Sequence, residues 1–139
     1  MRVNNEIWNK LYQTYQKGVD VPGVKYPNEH LVRFVSSVSK YPQTEKRKAV
    51  ELGFGNITNM SMIARSGYDV LGLEVSQESV DRARSAIKNR GLESVLSVQT
   101  FAGNILPLPD ASVDLVVGLQ CVYYNLDQKN FRQRVFPGP

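Results

Sequence analysis

Two acids, each at the end of an apolar run, bracket a pair of closely spaced glycines. Residues 49–57 read Ala-Val-Glu-Leu-Gly-Phe-Gly-Asn-Ile, and Val70-Leu71-Gly72-Leu73-Glu74 follows further on. Gly53 and Gly55 let the backbone turn tightly and approach a ligand where a Cβ would collide. Glu74, ending the second run, can accept hydrogen bonds from two ribose hydroxyls at once, a geometry that amide and hydroxyl side chains match less well. A strand, a glycine turn, a helix and a second strand ending in an acid make the pattern of a nucleotide-binding α/β unit.

The surrounding sequence supplies elements to hold these residues. Residues 5–17 carry Ile7, Trp8, Leu11, Tyr12 and Tyr15 at helical spacing, with Gly18 as a stop. A Pro-Gly loop follows, and Asn28 can cap a second helix through Leu31, Val32, Phe34, Val35 and Val38, ended by Pro42 at the latest. From there strands alternate with helices, which implies a parallel sheet. Strands are expected at about Lys48–Leu52, Asp69–Glu74, Val95–Phe101 and Val113–Leu119. Between the first two lies a helix holding Met60, Met62, Ile63 and Ala64, stopped by Gly67. Ser76 caps the next, with Glu78 in its first turn, and Gly91 closes it.

The motif Glu51-Leu52-Gly53-Phe54-Gly55, then Glu74, then Leu106-Pro107-Leu108-Pro109-Asp110-Ala111-Ser112-Val113-Asp114-Leu115-Val116-Val117 resembles the class I S-adenosylmethionine-dependent methyltransferases of the small-molecule type. The resemblance runs over roughly 45–125 and more weakly through the first forty residues. It implies an α/β, Rossmann-like parallel sheet in the order 3-2-1-4, with residues 1–44 as a helical cap and 45–139 as the cofactor-binding half-domain. It implies S-adenosylmethionine as cofactor and in-line methyl transfer to a small-molecule acceptor. Carried onto this chain, the cofactor residues are Glu51, the Gly53-Phe54-Gly55-Asn56 turn, Glu74 for the ribose, and Val75 against the adenine. Asn104 and Ile105 follow strand three, where an acid commonly meets the adenine amino group; an alternative alignment puts Ala102 there. Leu119 and Gln120 follow strand four and line the transfer cleft, with Gln120 or Tyr123 toward the sulfonium or substrate. The family often carries a third glycine where Ile57 stands, and a β-branched residue there is expected to tighten the turn.

Composition narrows the alternatives. The chain has 139 residues, 42% of them hydrophobic, enough for one core. One cysteine, Cys121, and one histidine, His30, cannot build a zinc site, and no serine elbow or Cys/His pair suggests a hydrolase. No apolar stretch approaches the roughly 20 residues of a membrane span, and the polar first residues predict a cytoplasmic protein. A net charge of +4 includes Arg82, Arg84, Lys88 and Arg90, read as the solvated face of a helix. No aromatics interleave with these charges, so nucleic acid is not the expected partner. A dinucleotide fingerprint would need glycine at 58, where Thr58 stands. The family's sheet has seven strands and four are read here, so strand four is expected as an open edge. The expectations are therefore a truncated half-domain, with a non-catalytic binding module as the alternative function, or a homo-oligomer joined through that edge. No catalytic base is identifiable.

Overall fold

The computed structural model describes residues 26–39, 46–102 and 105–119. The elements, in chain order, are α1 (Glu29–Val38), β1 (Arg47–Leu52), α2 (Thr58–Arg65), β2 (Tyr68–Glu74), α3 (Gln77–Asn89), β3 (Leu96–Thr100) and β4 (Leu115–Gly118). The strands form one parallel sheet in the order β3-β2-β1-β4, as the resemblance implies. Strand bounds differ from the sequence reading by up to two residues at either end. The first expected helix, Cys121 and Tyr123 lie outside the described residues, as do Asn104 and Gln120.

The helices begin where a side chain can satisfy their free backbone N–H groups. Asn28 Oδ1 accepts from Leu31 N–H at 3.1 Å, and Ser76 Oγ accepts from Ser79 N–H at 3.3 Å. The start of α2 is different: Asn56 Oδ1 takes the Thr58 N–H at 2.9 Å from just outside the helix.

The main core lies on the sheet face covered by helices. Met60, Ile63, Val80 and Val35 are fully buried there with Phe54, Val70 and Val98. Val50, Leu52 and Leu73 point to the other face, under Phe101, Leu106, Leu108 and Val113. Of the five apolar positions expected on α1, Leu31 and Val35 are buried while Phe34 is exposed. Arg47 secures the far end of α1, donating to Val38 O at 3.3 Å and to the Tyr68 hydroxyl at 3.0 Å.

The Pro109-Asp110-Ala111-Ser112 stretch is a turn into β4. Ala111 has φ of 52°, and the Ser112 hydroxyl donates to Pro109 O at 2.7 Å. Asp114 extends the β1–β4 pairing: its N–H donates to Lys48 O, and its carboxylate accepts from Lys48 N–H, both at 2.8 Å. That part of the motif therefore shapes the sheet. Among the described residues no helix is long and apolar enough to cross a membrane, and no cluster of ligating side chains can hold a metal.

Candidate functional site

In a parallel sheet the carboxyl ends of the strands form the ligand edge. Here β1 pairs with β2 so that Glu51 lies beside Gly72, and Leu52 beside Leu73. Gly53 N–H continues this ladder to Leu73 O at 2.8 Å, so the chain leaves β1 in a fixed direction. Gly53 and Gly55 both have φ of 62°, a left-handed conformation that an L side chain resists at about 1–2 kcal/mol. Asn56 N–H donates to Phe54 O at 2.6 Å and closes a three-residue turn about Gly55. Ile57 has φ of −85° and a buried side chain. No left-handed residue is needed there, so isoleucine is accommodated and serves the core.

The Phe54 side chain turns down into the main core, against β2 at Gly72. A Cβ at that glycine would lie 2.6 Å from Phe54 Cδ1 and 2.7 Å from Met60 Sδ. Phe54 therefore offers the ligand edge its backbone, and Gly72 is the space its ring needs. Asn56 likewise spends its side-chain oxygen on the start of α2.

Glu74 closes the turn from the other side. Its Oε2 accepts from Gly55 N–H at 3.2 Å and its Oε1 from Val75 N–H at 2.8 Å. Phe101 N–H, donating to Glu74 O at 3.1 Å, fixes the backbone from the β3 side. Burial raises the Glu74 carboxyl above its ordinary range, opposed by the N–H groups of Val75, Gly55 and Ser76. Gly55 is gripped at both polar atoms, because the Ser79 hydroxyl of α3 donates to Gly55 O at 2.9 Å.

Glu51 is more deeply placed, only 2% exposed. Asn59 Nδ2 donates to its Oε1 at 2.9 Å, while Oε2 has no donor among the described residues. Burial is the main cause that pushes its carboxyl from 4.5 up to about 7; Asn59 acts against this and the nearby Glu74 adds to it. A buried acceptor left open is costly unless something else supplies the donor.

The structure thus gathers Glu51, Gly53, Gly55 and Glu74 about one turn, with Val75 half-buried beside it. Ile105 and Leu119 are exposed, in the segments after β3 and β4. Two residues of this network escaped the sequence reading, Asn59 and Ser79. Ser79 did leave a trace, since it is a polar residue on the inward stripe of α3 with Val80, Ala83 and Ile87. Asn59 left none beyond its place in the first turn after the glycines.

Comparison with known proteins agrees with this fold. The methyltransferase-domain family matches residues 50–136. The chain belongs to the class I S-adenosylmethionine-dependent methyltransferases. Ajmaline N-methyltransferase of Rauvolfia serpentina is 28% identical over 92 residues, 65% of this chain and 31% of that protein. A probable S-adenosylmethionine-dependent methyltransferase of Mycolicibacterium smegmatis is 33% identical over 92 residues, 65% of this chain and 33% of that one. This methyltransferase chain therefore spans about a third of the length of these curated relatives. A solved structure of a methyltransferase from Methanococcus maripaludis superposes with a TM-score of 0.65 at 14% identity, covering 95% of this chain and 54% of that one. At that identity the likeness establishes the fold.

Proposed function

We propose that this chain binds S-adenosylmethionine and belongs to an enzyme that transfers its methyl group to a small-molecule acceptor. The observation that carries the reading is the pair of buried acids about the glycine turn, one with an open oxygen and the other with acceptor capacity to spare. Glu51 Oε2 suits the ammonium of the cofactor's methionine part, since a buried carboxylate oxygen without a donor gains most from a cation. Glu74 suits the two ribose hydroxyls. A carboxylate has about four acceptor positions. The N–H groups of Val75, Gly55 and Ser76 meet Glu74 in the free chain, and the hydroxyls take the remaining capacity and compete with the longest of these bonds, from Gly55 at 3.2 Å. Gly53 and Gly55 present backbone without a Cβ. In the same reading Val75 and Ile105 pack on the adenine, Asn104 accepts from its amino group, and Leu119 and Gln120 border the transfer end.

The cofactor supplies a methyl group activated by the sulfonium. The part played by this chain is to bind and align, and alignment alone can supply roughly 7–11 kcal/mol in such displacements. Similarity to ajmaline N-methyltransferase supports a small-molecule acceptor. The single cysteine supports a reducing, cytoplasmic setting. The end position of β4 in the described sheet supports pairing of two copies through that strand.

The test is titration of S-adenosylhomocysteine into the full chain and its Glu74→Ala variant. Loss of the charge-assisted bonds to the hydroxyls should weaken binding by more than roughly tenfold. Unchanged affinity would remove Glu74 from the site. Cofactor binding with no methyl transfer to amine or hydroxyl acceptors would favour a non-catalytic module.

A further inference from the structure

We propose that Asn59 is a positioning residue, which fixes the orientation of the buried Glu51 carboxylate at the end of β1 and ties the docking of α1 to the occupation of that carboxylate. The identity of the ligand rests on the cofactor reading above, whereas the relay is a property of the free chain.

Asn59 uses both ends of its amide. Nδ2 donates to Glu51 Oε1 at 2.9 Å, and Oδ1 accepts from the backbone N–H of Asn28 at 2.9 Å. The reverse orientation would set oxygen against oxygen and N–H against N–H, so the two partners fix the amide one way round. Asn28 is the cap of α1. Its side chain takes the Leu31 N–H and its carbonyl the Val32 N–H. One side chain therefore joins the first turn of α1 to the buried acid at the end of β1.

Among the described residues α1 has ten residues and two buried side chains, Leu31 and Val35. A helix of that length is marginal without its tertiary contacts, so one well-made hydrogen bond at its cap is a real share of its attachment. At the other end of the relay, with Oε1 held by Asn59, the oxygen left for a ligand is Oε2.

The coupling follows from charge. An ionised Glu51 is a much stronger acceptor for Asn59 than a protonated one, and a bond polarised at one end of an amide strengthens the bond at the other. A cation on Oε2 keeps Glu51 ionised, and so strengthens the hold on Asn28. By reciprocity, a docked α1 favours the ionised acid and hence the ligand. Among the described residues the charged group acting on Glu51 is Glu74 of β2, and Asn59 of α2 is the neutral one.

The experiment follows the free 139-residue chain by NMR from about pH 5.5 to 8.5, reading the Glu51 carboxyl carbon and the exchange protection of the α1 amides. In the wild type, α1 protection should rise with pH along the Glu51 titration, after correction for intrinsic exchange. Asn59→Ala should move the Glu51 midpoint up by about one pH unit. It should also lower α1 protection by about fivefold at pH 8 and make that protection independent of Glu51. Glu51→Gln, which keeps an acceptor for Asn59, should hold α1 at the low-pH level throughout. Should Asn59→Ala fail to fold, the wild type and Glu51→Gln still decide the matter through this comparison. An unmoved midpoint in folded Asn59→Ala, or wild-type α1 protection that ignores the Glu51 titration, would overturn the proposal. S-adenosylhomocysteine should bind Asn59→Ala roughly tenfold more weakly, with its pH dependence displaced upward. A wild type that shows the relay but binds no S-adenosylhomocysteine would refute the cofactor reading and support the relay.

Discussion

Replacing Glu51 by glutamine separates what the buried acid costs from what it does. The side chain is 2% exposed, with one oxygen on Asn59 and the other without a donor among the described residues. Its carboxyl rises from 4.5 to about 7 on folding, mainly through burial. Between those values the folded chain holds a proton that the unfolded chain releases. Stability attributable to this group therefore falls as pH rises from 4.5, and levels off above about 7. At about 1.4 kcal/mol for each pH unit, the loss across that window is roughly 3 kcal/mol. Glutamine resembles the protonated acid and keeps an acceptor for Asn59. Urea denaturation of both proteins at about pH 5, 6, 7 and 8 should thus give stabilities within about 1 kcal/mol of each other at pH 5. At pH 8 the variant should be more stable by about 2–3 kcal/mol. Glu74 is raised in the same direction by its burial, which both proteins share, and losing its repulsion from Glu51 in the variant adds to the gain at pH 8. Cofactor affinity should run the other way, strengthening from pH 6 to 8 in the wild type and staying flat and weaker in Glu51→Gln. Equal stabilities at pH 8, or a less stable variant, would refute the claim that Glu51 is an under-satisfied buried acid.

Other substitutions test the turn. Gly72→Ala sets a Cβ against the Phe54 ring and Met60, and should cost about 1–3 kcal/mol in urea denaturation; an unchanged midpoint would refute that packing. Gly55→Ala forces alanine to φ of 62°, with a cost of about 1–2 kcal/mol and weaker S-adenosylhomocysteine binding by calorimetry. Ser79→Ala leaves Gly55 O without its donor, so stability should fall by about 1 kcal/mol and affinity with it. Full affinity in Ser79→Ala would show that the turn keeps its shape without that hydroxyl.

Much of the fold was legible because it is written in local chemistry. Asn28 and Ser76 are caps whose side chains can reach a free N–H three residues on, and both do so. Apolar runs ending at Leu52 and Glu74 can only be buried strands in a chain that alternates strand and helix. The strand order came from family resemblance, not from periodicity. What stayed hidden depends on residues far apart in sequence. Asn59 meets Asn28 across 31 positions, and Ser79 meets Gly55 across 24. Ile57 looked like a defect in a glycine motif, yet its φ of −85° asks for no glycine. Phe34 fits the apolar face of α1 by spacing but is exposed among the described residues, where Leu31 and Val35 are the buried side chains of the helix.

The most direct measurement is calorimetric titration of S-adenosylhomocysteine into the full chain at pH 8, with NAD in parallel. Two acids about a glycine turn, one open to a cation and one to hydroxyls, predict micromolar binding of S-adenosylhomocysteine and none of NAD. A cooperatively folded chain that binds neither, or that prefers NAD, would contradict the assignment of Glu51, Gly55 and Glu74 to an S-adenosylmethionine site.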